Sequence, residues 1–367
     1  MRELGIGLVG YGFIGKIHTL AYRILNLYYD PMPVKIRLVG VCSGHRETAE
    51  KGVEQGGYLF GTTDYHKLLE HEDIHIIDCC TPNYLHKDIL IDAMRSGKFV
   101  YCEKPLAMNV EEAKEIVKVA KETKIINQVA FQYRFVPAIM RARQLIEEGF
   151  LGRVFHFRAS YLHSGYNDPS RPITWRLDKE KGGGGALYDL GSHIIDLIRY
   201  LLGEYKDVQG FKETFIKERP LLEDPGEKRE VKVDDYIVLQ VRMTNGALGT
   251  LEASRVATGT NDDLSFEIYG ERGSMRFHLM EPNWLYIYDA TEPGEPIGGK
   301  RGFKAVECVN RYPAPSSLPG PKFSIGWERF HIASQFNFIS CIAQDREASP
   351  SFEDGLYVQE VMERAYK

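Results

Sequence analysis

The 367-residue sequence predicts an α/β protein with two domains. We expect residues 1–132 to form a doubly wound parallel sheet, and residues 133–367 to form an α/β domain with a large, mainly antiparallel open sheet. Three observations support this prediction. The chain is longer than a typical single domain, its first third alternates short apolar runs with helical stretches, and its second part contains strand pairs separated by turn signals.

The first domain is predicted from five apolar runs, each of strand length and separated from the next by a stretch with helical spacing. The predicted strands are Gly5–Val9, Ile36–Cys42, Ile74–Cys80, Phe99–Cys102 and Ile126–Phe131. The predicted helices are Phe13–Tyr28, Arg46–Gln55, Lys87–Ser96 and Val110–Lys121. Strands that alternate with helices form βαβ units, and these units build a parallel sheet.

The pattern changes from about Tyr133, where strands begin to follow one another directly. The predicted helices are Pro137–Glu148, Ala186–Leu202, Glu328–Ala343 and Gly355–Tyr366. The predicted strands are Arg153–His163, Tyr236–Thr244, Ala247–Val256, Leu264–Tyr269 and Ser274–Leu279. Asn245-Gly246 between two of these strands is typical of a type I′ hairpin turn, which indicates antiparallel pairing. Residues 292–321, rich in Gly, Pro and Ser, are predicted to form a loop.

Composition excludes several classes of protein. The formal net charge of −5 and the even spread of Lys and Arg exclude the basic excess typical of a nucleic-acid binder. No run approaches the roughly 18 to 20 apolar residues of a membrane span, and Met1-Arg2-Glu3 leads directly into a strand. We therefore expect a cytoplasmic protein with no nucleic-acid or membrane partner. The six cysteines form no CxxC or His-paired pattern, so we expect reduced thiols and no metal site.

A glycine motif, Gly10–Gly15, follows the first strand and opens the first helix with the spacing GxGxxG. In this context the motif indicates a Rossmann dinucleotide site. Gly10 allows the tight turn, Gly12 lets the backbone approach a pyrophosphate, and Gly15 permits close packing of helix on strand. The helix N-terminus adds oriented N–H groups that attract an anion. The predicted cofactor contacts in this loop are Gly10, Gly12, Phe13, Ile14 and Gly15.

The residue after the second strand discriminates between NAD and NADP, because an acid there binds the ribose diol of NAD. The sequence reads Cys42-Ser43-Gly44-His45-Arg46, so Ser43 stands in place of the acid. The missing carboxylate removes repulsion of a 2′-phosphate, and Arg46 with His45 would attract it. The sequence therefore predicts NAD or NADP, with NADP favoured, and Ser43 and Arg46 as contacts. The alternative is that Arg46 is only a solvated residue in the first helical turn.

Glu103-Lys104-Pro105 follows directly after a predicted strand. It therefore lies at the carboxyl edge of the parallel sheet, where ligands bind in such folds. Pro105 biases Lys104 toward an extended backbone and so holds the amine at this edge. A lone Lys at such a position is usually only solvated, so this segment indicates a catalytic group only together with others.

Asp189 and His193 are four residues apart in a predicted helix that follows a glycine run. This spacing places carboxylate and imidazole on one helix face, within reach of each other. Such a pair can fix the tautomer of the imidazole and suit its pKa to proton transfer near neutral pH. The alternative is a satisfied polar patch, and this helix alone would not identify an enzyme.

Together these segments resemble the Gfo/Idh/MocA oxidoreductases, the family of glucose-fructose oxidoreductase and inositol dehydrogenase, over nearly the whole chain. The glycine motif, Lys104 and the Asp189/His193 pair carry the resemblance. Two further matching segments are Thr81-Pro82-Asn83 with His86, and Phe131–Phe135 at the domain junction. Within the family, Gly15–Tyr22 and Trp175–Lys179 resemble sugar dehydrogenases of the levoglucosan type.

The resemblance implies hydride transfer between a nicotinamide and a ring hydroxyl or ketone of a sugar, anhydrosugar or cyclic polyol. It implies that His193 is the general base, that Asp189 orients His193 or binds the hydroxyl, and that Lys104 stabilises alkoxide charge. It also implies a homo-oligomer, a dimer or tetramer, assembled through the open sheet. The further cofactor contacts it implies are Thr81, Pro82, Asn83, His86, Glu103, Lys104, Gln132, Trp175 and Arg176.

Other functions remain open within this resemblance. The family includes glycosidases that use transient oxidation by NAD, and regulatory proteins that bind nucleotides without catalysis. The joint presence of Lys104, Asp189 and His193 argues against the regulatory class. Gln132 stands where Asn is frequent, and Trp175 either closes over the cofactor or sugar or belongs to the core.

Overall fold

The computed structural model describes residues 2–367, which form two units. The first unit extends to Gln132 and includes Tyr312–Gly320 and Gly326–Gln359. The second comprises Tyr133–Arg311, Pro321–Ile325 and Glu360–Lys367. The chain thus enters the second unit at Tyr133, where the sequence places the second domain. The later segments that return to the first unit differ from the contiguous domain 133–367 that the sequence predicts.

The first unit contains a six-stranded sheet whose neighbouring strands are all parallel. Its strands are β1 (Glu3–Val9), β2 (Lys35–Cys42), β3 (Phe60–Thr62), β4 (Ile76–Cys79), β5 (Phe99–Cys102) and β6 (Asn127–Val129). Its helices before residue 132 are α1 (Phe13–Tyr28), α2 (Arg46–Lys51), α3 (His66–Leu69), α4 (His86–Arg95) and α5 (Val110–Thr123). A π-helical turn, Gly52–Gly56, continues α2.

The strand order is β3-β2-β1-β4-β5-β6, so the direction of winding reverses between β1 and β4. Because βαβ crossovers are right-handed, this reversal places the crossover helices on both faces of the sheet. The predicted doubly wound sheet is therefore confirmed. The sequence missed β3, because its three residues form no apolar run.

The second unit contains helices α6 (Pro137–Glu147), α7 (Lys179–Gly182) and α8 (Ser192–Leu202). Its strands are β7 (Val154–Leu162), β8 (Tyr205–Glu213), β9 (Glu218–Pro220), β10 (Lys228–Glu230), β11 (Tyr236–Met243), β12 (Leu248–Ser254), β13 (Asp263–Gly270), β14 (Gly273–His278), β15 (Trp284–Asp289) and β16 (Lys304–Glu307). Two C-terminal helices follow, α9 (Glu328–Ala343) in the first unit and α10 (Phe352–Tyr366), which runs from the first unit into the second.

The large sheet of the second unit has the order β16-β15-β14-β13-β7-β12-β11-β8. All its neighbours are antiparallel except β7 and β12, which run parallel. The predicted large, mainly antiparallel sheet is confirmed. The sequence missed β8 because this edge strand is mostly exposed and polar, and the predicted loop 292–321 contains β16.

The hairpin between β11 and β12 has a different turn from the predicted type I′. Met243 and Ala247 pair across a three-residue loop, since the Met243 N–H donates to the Ala247 carbonyl at 2.9 Å. The Gly246 N–H donates to the Met243 carbonyl at 3.0 Å, and Gly246 has a φ of 90°. This geometry is a type I turn followed by a bulge at the glycine. The Asn245 carboxamide oxygen accepts the Ala247 N–H at 3.0 Å and stabilises it.

The core of the first unit lies where α1 and α9 cover the parallel sheet. Apolar residues of α1 at helical spacing pack with residues of the strands and of α9, and this cluster includes Tyr22, Leu25, Ile6, Phe338 and Ile339. Burial of each such side chain stabilises the fold by about 1.5 to 3 kcal/mol. No helix within residues 2–367 is long and apolar enough to cross a membrane.

A buried ion pair joins the start of the second unit to α8. Arg134 donates from Nε to Asp196 Oδ2 at 2.8 Å and from Nη2 to Oδ1 at 2.5 Å, and both side chains are buried. This two-bond geometry satisfies the guanidinium and the carboxylate together.

Asp196→Ala is expected to lower the free energy of unfolding by about 3 to 5 kcal/mol, because it leaves the Arg134 charge buried without its carboxylate. Urea unfolding followed by circular dichroism measures the loss. Asp207→Ala is the control, since it removes a carboxylate that is 65% exposed and lies 3.5 Å from Arg242. This exposed pair is worth less than about 1 kcal/mol. Equal losses of unfolding free energy in the two variants would contradict the prediction that the buried ion pair contributes more to stability than the exposed one.

Candidate functional site

The glycine loop holds the N-terminus of α1 close to the ends of β1 and β4. Gly10 has a φ of 101°, and a Cβ there would lie 2.5 Å from the Cys80 carbonyl oxygen. A Cβ on Gly15 would lie 2.0 Å from the Gly10 carbonyl oxygen. A side chain fits at neither position, so the turn and the close packing both require glycine.

Gly12 differs from these two glycines, because a Cβ built on it meets no atom within 4 Å. Gly12 is the N-cap of α1, and no acidic residue occupies the first turn of that helix. Gly12 therefore leaves open space at the N-terminus of α1, where the first N–H groups of a helix have no partner within the helix. This cradle fits the pyrophosphate of a dinucleotide by shape and by charge. Phe13 follows Gly12 and is 73% exposed.

The loop after β2 carries the residues on which the choice of cofactor was predicted to depend. The Ser43 N–H donates to the Thr62 carbonyl at 3.0 Å, which ties this loop to β3. Arg46 is the first residue of α2, and its side chain is 87% exposed. Its Nε donates to Glu50 Oε1 at 3.0 Å. The guanidinium that was predicted to attract a 2′-phosphate thus already has a carboxylate partner.

The loop after β4 is joined to the loop after β5 by His86. This residue is fully buried, and its Nδ1 lies 3.0 Å from the Pro105 carbonyl oxygen while its Nε2 lies 3.0 Å from the Thr81 carbonyl oxygen. Asn83 is buried in the same loop, whereas Thr81 and Pro82 are half-buried. His86 therefore fixes the spacing of the two loops from the interior of the unit.

Lys104 lies directly after β5, where the sequence places it. Its backbone N–H donates to Glu103 Oε2 at 3.2 Å. Glu103 is buried and Lys104 is half-buried. The first unit thus brings the predicted residues of the glycine loop, Ser43, Thr81–His86 and Glu103-Lys104 to the carboxyl ends of adjacent parallel strands, where ligands bind in doubly wound sheets.

A buried ion cluster that the sequence analysis missed lies beneath these loops. His18 of α1 is in contact with Asp78 of β4 at 3.0 Å and with Glu103 at 3.1 Å. Burial alone lowers the pKa of His18, but the two carboxylates outweigh it and raise that pKa to about 10. The sequence signal was available, because Asp78 is a lone acid within the apolar strand Ile76–Cys79.

Asp189 and His193 lie at the start of α8 but not on one regular α-helix. Asp189 belongs to a π-helical turn, Leu187–Gly191, and His193 is the second residue of α8. The predicted continuous helix Ala186–Leu202 was therefore wrong over its first turn. The Ser192 hydroxyl donates to the Tyr188 carbonyl at 2.7 Å, and such side-chain bonds distort a helix.

A buried arginine holds Asp189 in the second unit. Arg255 is 2% exposed, and its Nη2 lies 3.2 Å from Asp189 Oδ2. Its Nη1 donates to the Arg176 carbonyl at 3.0 Å. The structure thus brings Asp189 and the predicted Trp175-Arg176 segment together through a residue that the sequence analysis missed. The Arg176 guanidinium lies 4.4 Å from the centre of the Trp175 ring, and both side chains are half-buried rather than core.

His193 is buried against a hydrogen-bonded cluster that the sequence analysis also missed. Its ring centre lies 4.9 Å from that of Tyr133 and 5.7 Å from that of Tyr161. The two tyrosine hydroxyls are 2.7 Å apart, and the Tyr161 hydroxyl donates to Asp262 Oδ1 at 2.5 Å. His163 Nε2 lies 3.1 Å from the same oxygen. The members come from positions 133, 161, 163 and 262, so no local motif marks them.

Two further predicted contacts are Gln132, at the point where the chain enters the second unit, and Ile14 of the glycine loop. Gln132, the last residue of the first unit before Tyr133, is buried at the start of a 3₁₀ turn, Gln132–Phe135. Ile14 is half-buried in the first turn of α1.

Three buried groups in the first unit have His, Cys or acidic atoms within 4.8 Å of one another. They are Cys79/His86/Cys102, His18/Glu103/His331 and His18/Asp78/Cys80. In the first group His86 already binds backbone carbonyls, and in the other two His18 already binds carboxylates. These contacts favour hydrogen-bonded clusters over metal centres. All six cysteines are free thiols and buried.

Known families match both parts of the chain. Residues 4–131 match the family described as "Oxidoreductase family, NAD-binding Rossmann fold". Residues 139–276 match the "GFO/IDH/MocA C-terminal domain". A levoglucosan dehydrogenase of Pseudarthrobacter phenanthrenivorans is 37% identical over 98% of this chain and 94% of its own length. The scyllo-inositol 2-dehydrogenase (NAD(+)) of Bacillus subtilis is 30% identical over 99% of this chain and 96% of its own length.

Solved structures agree with these sequence matches. Levoglucosan dehydrogenase in complex with NADH and L-sorbose superposes with a TM-score of 0.95 at 37% identity, covering 100% of this chain and 96% of that one. Its complex with NADH and levoglucosan superposes with a TM-score of 0.94 at 36% identity, with the same coverage of both chains. The resemblance predicted from the motifs is confirmed: this chain belongs to the Gfo/Idh/MocA family of oxidoreductases, which includes NAD-dependent sugar and polyol dehydrogenases.

Proposed function

We propose that this protein is an NAD-dependent dehydrogenase that oxidises a ring hydroxyl of a sugar, anhydrosugar or cyclic polyol. One observation carries the proposal. Lys104 follows β5 at the carboxyl edge of the parallel sheet that also holds the open glycine cradle, in a chain 37% identical to a levoglucosan dehydrogenase. An amine at this edge suits an alcohol that becomes an alkoxide, because a cation stabilises the developing negative charge.

In the proposed mechanism, His193 removes the hydroxyl proton and returns it in the reverse direction. The packed rings of Tyr133 and Tyr161 restrict the orientation of the imidazole, as a general base requires. Lys104 donates a hydrogen bond to the reacting oxygen. Asp189 orients His193 or binds the hydroxyl, and its contact with Arg255 at 3.2 Å holds the carboxylate in place. The bound nicotinamide supplies the hydride acceptor.

The remaining predicted contacts serve the cofactor in this proposal. Gly12 and the N-terminus of α1 hold the pyrophosphate, while Ser43 and Arg46 lie toward the adenosine ribose. His86 and Glu103 are both buried, and they position the loops of the site from beneath. The other proposed contacts are Gly10, Phe13, Ile14, Gly15, Thr81, Pro82, Asn83, Lys104, Gln132, Trp175 and Arg176.

We propose NAD rather than NADP as the cofactor, against the preference predicted from Ser43 and Arg46. The contact of Arg46 with Glu50 supports this choice. A 2′-phosphate would have to compete with the Glu50 carboxylate for the Arg46 guanidinium, and these two negative charges would repel each other. The NADH named in the complexes of levoglucosan dehydrogenase also supports it.

We also propose that the protein is cytoplasmic and that it forms a homo-oligomer, either a dimer or a tetramer. An apolar side chain on the edge strand of the large sheet supports self-association, since Phe211 of β8 is 57% exposed. Exposed edge strands and apolar patches are frequent sites of contact between proteins.

The purified enzyme, incubated with NAD and a panel of sugars, anhydrosugars and cyclic polyols, should form NADH and an equal amount of a ketone two hydrogens lighter than the substrate. NADH absorbance and mass spectrometry measure the two products. The same panel with NADP should give a lower kcat/KM. No NADH with any compound would contradict the dehydrogenase, and a cleaved glycoside without accumulated NADH would indicate transient oxidation instead.

Gly12→Ala is expected to weaken NADH binding by about tenfold or more, because the added methyl group enters the space proposed for the pyrophosphate, and overpacking costs about 1 to 3 kcal/mol. The melting temperature of the cofactor-free variant should fall only slightly, since the new Cβ meets no atom within 4 Å and the cost is limited to a poorer N-cap. NADH fluorescence titration measures the affinity. Gly165→Ala is the control, because it lies outside the proposed cofactor contacts and its Cβ would meet only Arg171 Nη1 at 3.6 Å. Unchanged binding in Gly12→Ala would place the pyrophosphate elsewhere.

A further inference from the structure

His18 is a buried residue that the proposed mechanism does not use. It lies on α1, three residues after Gly15, and is 0% exposed. Its helix begins at the glycine cradle, and its side chain extends toward the strand ends beneath the loops. A buried ionisable residue beside a proposed site needs a physical account, since burial of a charge is costly unless that charge is paired.

Both ring nitrogens of His18 face carboxylate oxygens. Nδ1 lies 3.0 Å from each oxygen of Asp78, and Nε2 lies 3.1 Å from Glu103 Oε1. A neutral imidazole carries only one N–H, whereas a carboxylate can only accept hydrogen bonds. A neutral imidazole would therefore place an unprotonated nitrogen against one of the two carboxylates, whereas the imidazolium presents an N–H and a positive charge to both, so the geometry favours a protonated His18.

The surrounding charges agree with this geometry. Burial raises the pKa of Glu103, but the contact with His18 at 3.1 Å and the positive charge of His18 outweigh burial, so the pKa lies below its usual value. Two buried carboxylates thus share one buried cation. Without that cation, Asp78 and Glu103 would repel each other, and the pKa of Glu103 would rise.

Glu103 contacts both His18 and Lys104, so the ion pair with His18 affects the position of Lys104. One carboxylate oxygen, Oε1, binds His18, and the other, Oε2, accepts the Lys104 backbone N–H at 3.2 Å. The orientation of the carboxylate is therefore fixed from both sides. An ion pair between His18 and Glu103 and a hydrogen bond between Glu103 and the Lys104 backbone thus connect the helix of the glycine cradle to Lys104.

We propose that His18 is a positioning residue, a constantly protonated imidazolium that keeps Glu103 ionised and thereby holds Lys104 in place. The proposal rests on the proposed role of Lys104 in hydride transfer. His18 itself touches neither substrate nor cofactor in this account.

The groups that face His18 come from every element packed around it, and they determine how the cluster titrates. Asp78 and Glu103 are the charged partners, and the Cys80 thiol lies 3.1 Å from Nδ1. The rings of Tyr101 and His331 lie 5.4 and 5.7 Å from the His18 ring. Tyr22 and Tyr58 have raised pKa values, mainly through burial, and stay neutral.

The first test is NMR of the cofactor-free protein with ¹⁵N-labelled histidine, in which the signal missing from His18→Gln identifies His18. Both ring nitrogens should be protonated from pH 6 to pH 8, because the pKa of His18 is raised to about 10. A neutral His18 ring at pH 8 would overturn the proposal. If His18→Gln does not fold, Glu103→Gln identifies the signal through its shift, since this substitution removes a charge 3.1 Å from His18 Nε2.

The second test is the pH profile of kcat for His18→Gln. The removal of the cation should raise the pKa of Glu103 toward neutral, so kcat relative to the wild type should fall about tenfold for each pH unit below that pKa. The loss is therefore larger at pH 6 than at pH 8. Glu103→Gln, which has no carboxyl group to titrate, should show no such acidic limb. A loss of kcat in His18→Gln that is equal at every pH would indicate a purely structural role and overturn the proposal.

His75→Gln is the matched control for the second test. His75 lies in the same unit and accepts the Gly5 N–H at 3.0 Å, outside the ion cluster. Its pH profile should match that of the wild type. Failure of the sugar-oxidation proposal would leave the NMR result unchanged, whereas failure of the His18 proposal would leave NADH formation by the wild type unchanged.

Discussion

The geometry of the first unit depends on the close approach of α1 to the ends of β1 and β4. The carbonyl oxygen of Gly10 occupies the place of a Gly15 side chain, 2.0 Å from where a Cβ would stand. This contact has two consequences. It places the N-terminus of α1, with the open space at Gly12, beside the strand ends, and it brings the next turn of the helix near the strands, where His18 reaches Asp78 and Glu103. The glycine cradle and the buried ion cluster therefore both depend on the close contact between Gly10 and Gly15.

The two units fix their proposed catalytic groups by the same physical means, a buried charge that binds two partners. In the first unit His18 holds Glu103, and Glu103 holds the backbone of Lys104. In the second unit Arg255 holds the carboxylate of Asp189 and the backbone carbonyl of Arg176. Because a buried charge is costly to leave unpaired, each arrangement resists displacement of its partners. The proposed site thus depends on interior residues as much as on those that meet a ligand.

The sequence predicted what local patterns encode. The alternation of apolar runs and helices predicted the parallel sheet, the bounds of α1 and α9 were predicted to the residue, and the motif context predicted the glycine turn. Features that depend on distant partners were missed, such as the polar edge strand β8 and the Tyr133/Tyr161/Asp262 cluster beside His193. The π-helical turn at Asp189 was also missed, because it depends on a hydroxyl–carbonyl bond within the helix rather than on apolar spacing.

In the proposed mechanism, Lys104 and His193 act on one reacting oxygen. A double-mutant cycle of Lys104→Ala and His193→Ala, with the hydride-transfer rate measured in single turnovers, tests this most directly. Each single substitution should lower the rate by about 10²- to 10⁴-fold. The double variant should lose far less than the product of the two losses, because groups that act as a unit are not additive. Losses that multiply, or a single variant with an unchanged rate, would contradict the account.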